Sequence, residues 1–119
     1  MKVLIADDEP FVRTTLSMLL KLEGHEVALA SDGRAALDAA LANPPDVILS
    51  DMNMPMLSGR ELLYAVRGDG RLAHTRFVFL TGEAQALADT ATGNVQADGF
   101  LTKPFSREQL LALLKSLGS

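Results

Sequence analysis

Val47-Ile48-Leu49-Ser50-Asp51-Met52-Asn53-Met54-Pro55 joins an apolar run to a carboxylate and then to a loop closed by proline. The run shows no apolar/polar alternation, the pattern of a strand buried on both faces. An aspartate at the tip of such a strand is placed to react rather than to pack. Other apolar runs end in the same way. Val3-Leu4-Ile5-Ala6 leads into Asp7 and Asp8, Phe77-Val78-Phe79-Leu80 into Thr81, and Gly99-Phe100-Leu101-Thr102 into Lys103. Acids, a hydroxyl and an amine at four strand ends read as one site built to accept a phosphoryl group.

Apolar runs at 2–6, 26–30, 46–50, 76–80 and, weakly, 99–102 alternate with stripes of 3.6-residue period. The stripes are Val12, Leu16, Leu19 and Leu20, then Leu37, Ala40 and Leu41, then Leu62, Leu63 and Val66, and last Leu110, Leu113, Leu114 and Leu117. Ser58-Gly59-Arg60-Glu61 and Ser106-Arg107-Glu108-Gln109 read as capping boxes. Gly24 closes the first helix, and Asn43-Pro44-Pro45 the second. Residues 83–95 form the weakest predicted helix, because Thr90, Thr92, Gly93 and Asn94 weaken its last turns. Five βα units in succession predict a doubly wound α/β sandwich with right-handed crossovers. Such sheets bind ligands beyond the carboxyl ends of their strands, where strand order reverses, and every chemical residue above lies at such an end.

Composition excludes several classes. The 119 residues suit a single domain, with no repeat or linker, so residues 1–119 are expected to form one. No apolar run approaches the roughly 20 residues of a membrane span, and the N-terminus turns acidic too soon for a signal peptide. The absence of cysteine removes disulfides and thiolate metal sites and suits a reducing cytoplasm. A net charge of -4 argues against direct nucleic-acid binding.

Each candidate also has an ordinary explanation. Asp7 and Asp8 precede Pro10, so they could cap a helix that has proline in its first turn. Joined by Asp51, they become three carboxylates whose repulsion a divalent cation relieves; an all-oxygen donor set favours magnesium, or calcium or manganese. Asp51 alone is an ordinary turn former; with a metal it becomes a carboxylate nucleophile for phosphoryl transfer. Lys103 precedes Pro104, which aims it reproducibly, and it reads either as a surface lysine or as a countercharge for phosphate oxygens. Thr81-Gly82 is either a strand exit or a hydroxyl donor beside a backbone that a phosphate can approach. His25 and His74 read as surface residues and Phe11, Phe77, Phe79 and Phe105 as core, with Tyr64 partly exposed and Met52, Met54 and Met56 around the site's rim.

The ordered set Asp7-Asp8, Asp51-Met52-Asn53-Met54-Pro55, Gly59, Thr81-Gly82, Phe100 and Lys103-Pro104-Phe105 resembles the receiver domain of two-component response regulators along essentially the whole chain. The resemblance implies a flavodoxin-like sandwich of five parallel strands in the order 2-1-3-4-5 with five helices. It implies that Asp51 accepts a phosphoryl group from a phosphohistidine on a histidine kinase or histidine phosphotransfer protein. Mg2+ would be ligated by Asp8, Asp51 and the backbone carbonyl of Asn53, with Asp7 acting through water. Thr81 and Phe100 would form the switch pair, Lys103 would hold the phosphate, and Asn53 and Glu83 would tune dephosphorylation. The Lys103–Pro104 bond is typically cis in that family. The readout would be the face of the fourth helix, fifth strand and fifth helix, meeting a downstream protein or a fused output domain. One departure is Gln96-Ala97-Asp98, where the family commonly has Gly-Ala-Asp.

Two other classes fit less well. An aspartate-nucleophile hydrolase of the haloacid dehalogenase type carries a second acid two residues after the nucleophile, where this chain has Asn53. A receiver-like scaffold that only binds partners usually lacks one of the acids or the lysine, and this chain keeps them all.

Overall fold

The structure, a computed structural model, describes residues 1–82 and 97–118. Five strands, β1 (Lys2–Ala6), β2 (Glu26–Ala30), β3 (Val47–Asp51), β4 (Arg76–Thr81) and β5 (Gly99–Thr102), form one sheet in the order β2-β1-β3-β4-β5. All pairings are parallel. β1 and β4 are buried from their second residue onward and β3 from Val47 to Ser50, as strands covered on both faces require. The edge strand β2 is mostly exposed, with Leu29 49% exposed, because no strand covers its outer side. Four helices are described: α1 (Pro10–Leu22), α2 (Gly33–Ala42), α3 (Gly59–Arg67) and α4 (Arg107–Gly118). The helix expected over 83–95 lies outside the described residues.

Alternating side chains of the inner strands feed two cores. Leu4, Ala6, Ile48, Phe77 and Phe79 pack under α2 and α3 with Ala36, Ala40, Leu62, Leu63 and Val66. Val3, Ile5, Val47, Leu49, Val78 and Leu80 pack on the other face with Leu16 and Leu20 of α1 and Leu110 and Leu114 of α4. The sheet is therefore sandwiched between helix layers, the expected flavodoxin-like fold.

Local chemistry places the helices. The Ser58 and Glu61 groups bond reciprocally to open α3, and Ser106 and Gln109 do the same ahead of α4. Gly24 takes φ 87 just after α1, a conformation glycine adopts without strain. Phe11, expected in the core, is instead 80% exposed. It lies five residues ahead of Leu16, about 140° around α1 from the buried stripe. Phe77 and Phe79 are fully buried and meet edge to face at 5.2 Å, while Phe105 is half-buried against the α1/α4 core. Tyr64 is 45% exposed. His74 is exposed; His25 is half-buried, its Nδ1 3.1 Å from the N-terminal amine. Among the described residues no helix is long and apolar enough to cross a membrane.

Candidate functional site

Strand order reverses between β1 and β3: β1 pairs with β2 on one side and β3 on the other. Their carboxyl ends deliver Asp7, Asp8 and Asp51 to a common point, with Glu9 beside them. One carboxylate oxygen from each of these four residues lies within 4.8 Å of the others. Neither Asp7 nor Asp8 caps α1; the N-cap is Glu9, and its side chain makes no capping bond. The capping explanation for the acidic pair therefore fails on geometry.

Lys103 reaches into this group from the end of β5. Its Nζ is 2.8 Å from Asp7 Oδ2, 3.7 Å from Asp51 Oδ1 and 3.7 Å from Glu9 Oε1. The Lys103–Pro104 peptide is cis, as the resemblance led one to expect, and the Lys103 amide donates to the Thr81 carbonyl at 2.6 Å. Asp7 is fully buried with both oxygens engaged, Oδ2 by Lys103 and Oδ1 by the Glu9 amide at 2.9 Å. Asp51 Oδ1 accepts from the Met52 amide at 2.8 Å, leaving Oδ2 without a hydrogen bond among the described residues.

Burial raises the Asp51 carboxyl above its ordinary range; Lys103 opposes this, Asp7 adds to it, the Met52 amide opposes it, and Asp8 adds to it. For Lys103, burial pulls downward, but the bond to Asp7 and the charges of Asp51, Asp7 and Glu9 outweigh it and hold the ammonium above its usual value. A carboxyl with a raised pKa in the folded state binds its proton more tightly there than in the unfolded chain. The stability this brings is complete below the ordinary carboxylate range, about pH 4, and is lost as pH rises through the raised value. Asp51→Asn should therefore melt above wild type at neutral pH without divalent cations, and the gap should close as pH falls towards 4. Equal melting temperatures across that range would refute the assignment.

The donor set fits a hard divalent cation: carboxylate oxygens only, exceeding the single ammonium in charge, with no imidazole or thiolate at the site. Asp8 and Glu9 are exposed and Asp51 is half-buried, so their oxygens face solvent while those of Asp7 are already used.

Thr81 is 3% exposed at the end of β4, one register step beyond Leu80, which pairs with Asp51. Phe100 pairs with Phe79 in the β4–β5 register and is 39% exposed. Asn53 is exposed in the loop after Asp51, Met52 is buried beneath that loop, and Met56 is 75% exposed with φ 72. Gly59 donates its amide to the Met52 carbonyl at 2.9 Å, tying α3 to the same loop. Glu83 lies outside the described residues. Asp98, in the departing triplet, accepts from the Phe77 amide at 2.8 Å and pairs with Arg67 and Arg76, fastening the entry of β5 to β4. Glu9 was not singled out in the sequence. Its signal was an N-cap position filled by a residue too long to cap well.

Comparison with known proteins agrees with this arrangement. The family model described as "Response regulator receiver domain" matches residues 3–115. The chain is 35% identical over 116 residues to response regulator MprA of Mycolicibacterium vanbaalenii, covering 98% of this chain and 49% of that protein. It is 38% identical over 117 residues to the transcriptional regulatory protein TrcR of Mycobacterium tuberculosis, covering 98% and 44%. The chain thus spans about half the length of these curated relatives. Among solved structures, the chemotaxis response regulator CheY4 of Vibrio cholerae superposes with TM-score 0.90 at 40% identity, over 98% of this chain and 97% of that one. The receiver domain of the sensor histidine kinase PA1611 from Pseudomonas aeruginosa, solved with magnesium in its active site cleft, gives TM-score 0.89 at 27% identity, over 99% and 98%. With the fold, the strand-end acids and these matches in agreement, the chain belongs to the response regulator receiver domain family.

Proposed function

We propose that residues 1–119 act as one phosphoacceptor domain, a stoichiometric signalling switch that stores a phosphoryl group on Asp51. The observation that carries this reading is the Lys103 ammonium suspended between buried Asp7 and half-buried Asp51 within a ring of acids. Asp51 Oδ2 attacks the phosphorus of a phosphohistidine on a histidine kinase or phosphotransfer protein. The new P–O bond forms as the P–N bond breaks, and the imidazole departs. Lys103 pairs with an entering phosphoryl oxygen and Thr81 donates its hydroxyl to another. Asp8, Asp51 and the Asn53 carbonyl would hold Mg2+, or Mn2+, with Asp7 behind Lys103 and reaching the ion only through water. When bound, that cation offsets the charge of the phosphoryl oxygens.

The product carries about -1.5 to -2 charge, and Thr81 and Lys103 meet it in only one arrangement of the adjoining loops. Phosphorylation therefore shifts a pre-existing equilibrium in which the ring of Phe100 turns inward. The reading places the output on the face of the 83–95 segment, β5 and α4, towards a downstream protein or a fused output domain, with Asn53 and Glu83 tuning hydrolysis. The chain would work in the cytoplasm, away from membranes and without touching nucleic acid itself.

Intact-mass measurement with acetyl phosphate and magnesium tests this. One phosphoryl group should add to wild type and none to Asp51→Asn. No uptake by wild type, or equal uptake by both, would sink the reading, and turnover of unrelated phosphate esters would favour a hydrolase instead.

A further inference from the structure

We propose that Glu9 is a positioning residue that holds Lys103 on the solvent side of the acidic group and yields it when a phosphoryl group enters, so that Glu9 sets the affinity for dianionic phosphodonors. This rests on the reading of Asp51 as acceptor and deepens it.

Two independent observations support it. Glu9 occupies the N-cap of α1, where a short Ser, Thr, Asp or Asn would bond the first turn, yet it makes no capping bond. Its side chain goes elsewhere: Oε1 lies 3.7 Å from Lys103 Nζ, while the Glu9 amide is pinned to Asp7 Oδ1. A local rule of helix capping is thus broken at a residue whose carboxylate reaches the lysine from its exposed side.

Position decides the role. The Asp7 side chain is 0% exposed and lies beneath Lys103, whereas the Glu9 side chain is 62% exposed. Asp7 therefore anchors the amine from below with its hydrogen bond, and Glu9 Oε1 and Asp51 Oδ1 face its outer hydrogens as ion-pair partners at 3.7 Å. A phosphodonor must arrive from solvent, and its oxygens need those same outer hydrogens. Glu9 competes for them and repels the incoming dianion. An exposed ion pair of this kind contributes little to stability, so its effect belongs to binding rather than to folding.

The test uses Glu9→Gln, which removes charge but keeps length, and Glu9→Ser, which removes charge and restores a cap. With acetyl phosphate, the concentration giving half-maximal phosphorylation rate should fall roughly two- to five-fold in both variants, with the limiting rate little changed. The fall should be smaller with phosphoramidate, a less charged donor. In the absence of any donor, acylation of Lys103 by acetic anhydride, followed by mass spectrometry against Lys2, Lys21 and Lys115, should rise by a similar factor. The Glu9→Ser protein should melt no lower than wild type, which separates the effect from unfolding. Unchanged half-saturation together with unchanged Lys103 labelling would overturn the proposal, as would a fall in the limiting rate alone. If wild type takes up no phosphoryl group while Lys103 labelling still rises in the variants, the acceptor reading fails and the hold of Glu9 on Lys103 stands.

Discussion

Lys103→Met should lose phosphoryl uptake by about 10²- to 10³-fold and unfold about 3 kcal/mol more easily. The second effect follows from where Asp7 sits. Its carboxylate is fully buried, with Lys103 at 2.8 Å on one oxygen and a single backbone amide on the other. Methionine preserves the apolar stem but removes the ammonium, leaving Asp7 in the interior without its countercharge. Breaking a buried pair from one side costs far more than the pair contributes relative to apolar replacements, because the stranded charge keeps its full desolvation cost. The double variant Lys103→Met/Asp7→Asn should therefore regain much of the stability and none of the uptake. Urea unfolding of the two single variants and the double variant resolves this as a coupling energy. A Lys103→Met protein as stable as wild type would contradict the geometry.

Much of this was legible in the chain because the relevant physics is local. The inner strands are buried on both faces, so Val3–Ala6, Val47–Leu49 and Phe77–Leu80 had to be unbroken apolar runs. Ser58 with Glu61, and Ser106 with Gln109, announced their helix starts because a capping box is complete within four residues. What escaped was long-range or depended on direction. Nothing in the local pattern says that β1 lies between β2 and β3; the strand order came from family resemblance. The double engagement of Asp7 joins residues 96 positions apart. Phe11 was misplaced because an aromatic residue beside a helix start suggests core, whereas its angle around α1 points it to solvent. Glu9 does not stand out in the sequence because an acid near a helix start has an ordinary explanation, which only its place beside Lys103 removes.

Gly59→Ala should be the most damaging small change at the site, destabilising by about 3 kcal/mol and slowing uptake by about 10²-fold. A Cβ at residue 59 would lie 2.3 Å from the Asp51 carbonyl oxygen, 2.9 Å from the Met52 Cα and 3.0 Å from a ring carbon of Phe79. Only the last of these belongs to a side chain, and Phe79 is fully buried against Phe77, so its ring has nowhere to retreat. The first two are the backbone of the acceptor and of the residue that follows it. Relief must come from moving α3 away or from moving Asp51 and Met52. Either shift breaks the bond from the Gly59 amide to the Met52 carbonyl at 2.9 Å and disturbs the Met52 amide that fixes Asp51 Oδ1. Stability and reactivity should therefore fall together, unlike in Asp51→Asn, where uptake is lost and metal-free stability rises. Phe79→Leu added to Gly59→Ala removes one contact of three and should restore neither property. If Gly59→Ala melts with wild type and accepts phosphoryl groups at the wild-type rate, the close approach of α3 to the acceptor strand is wrong.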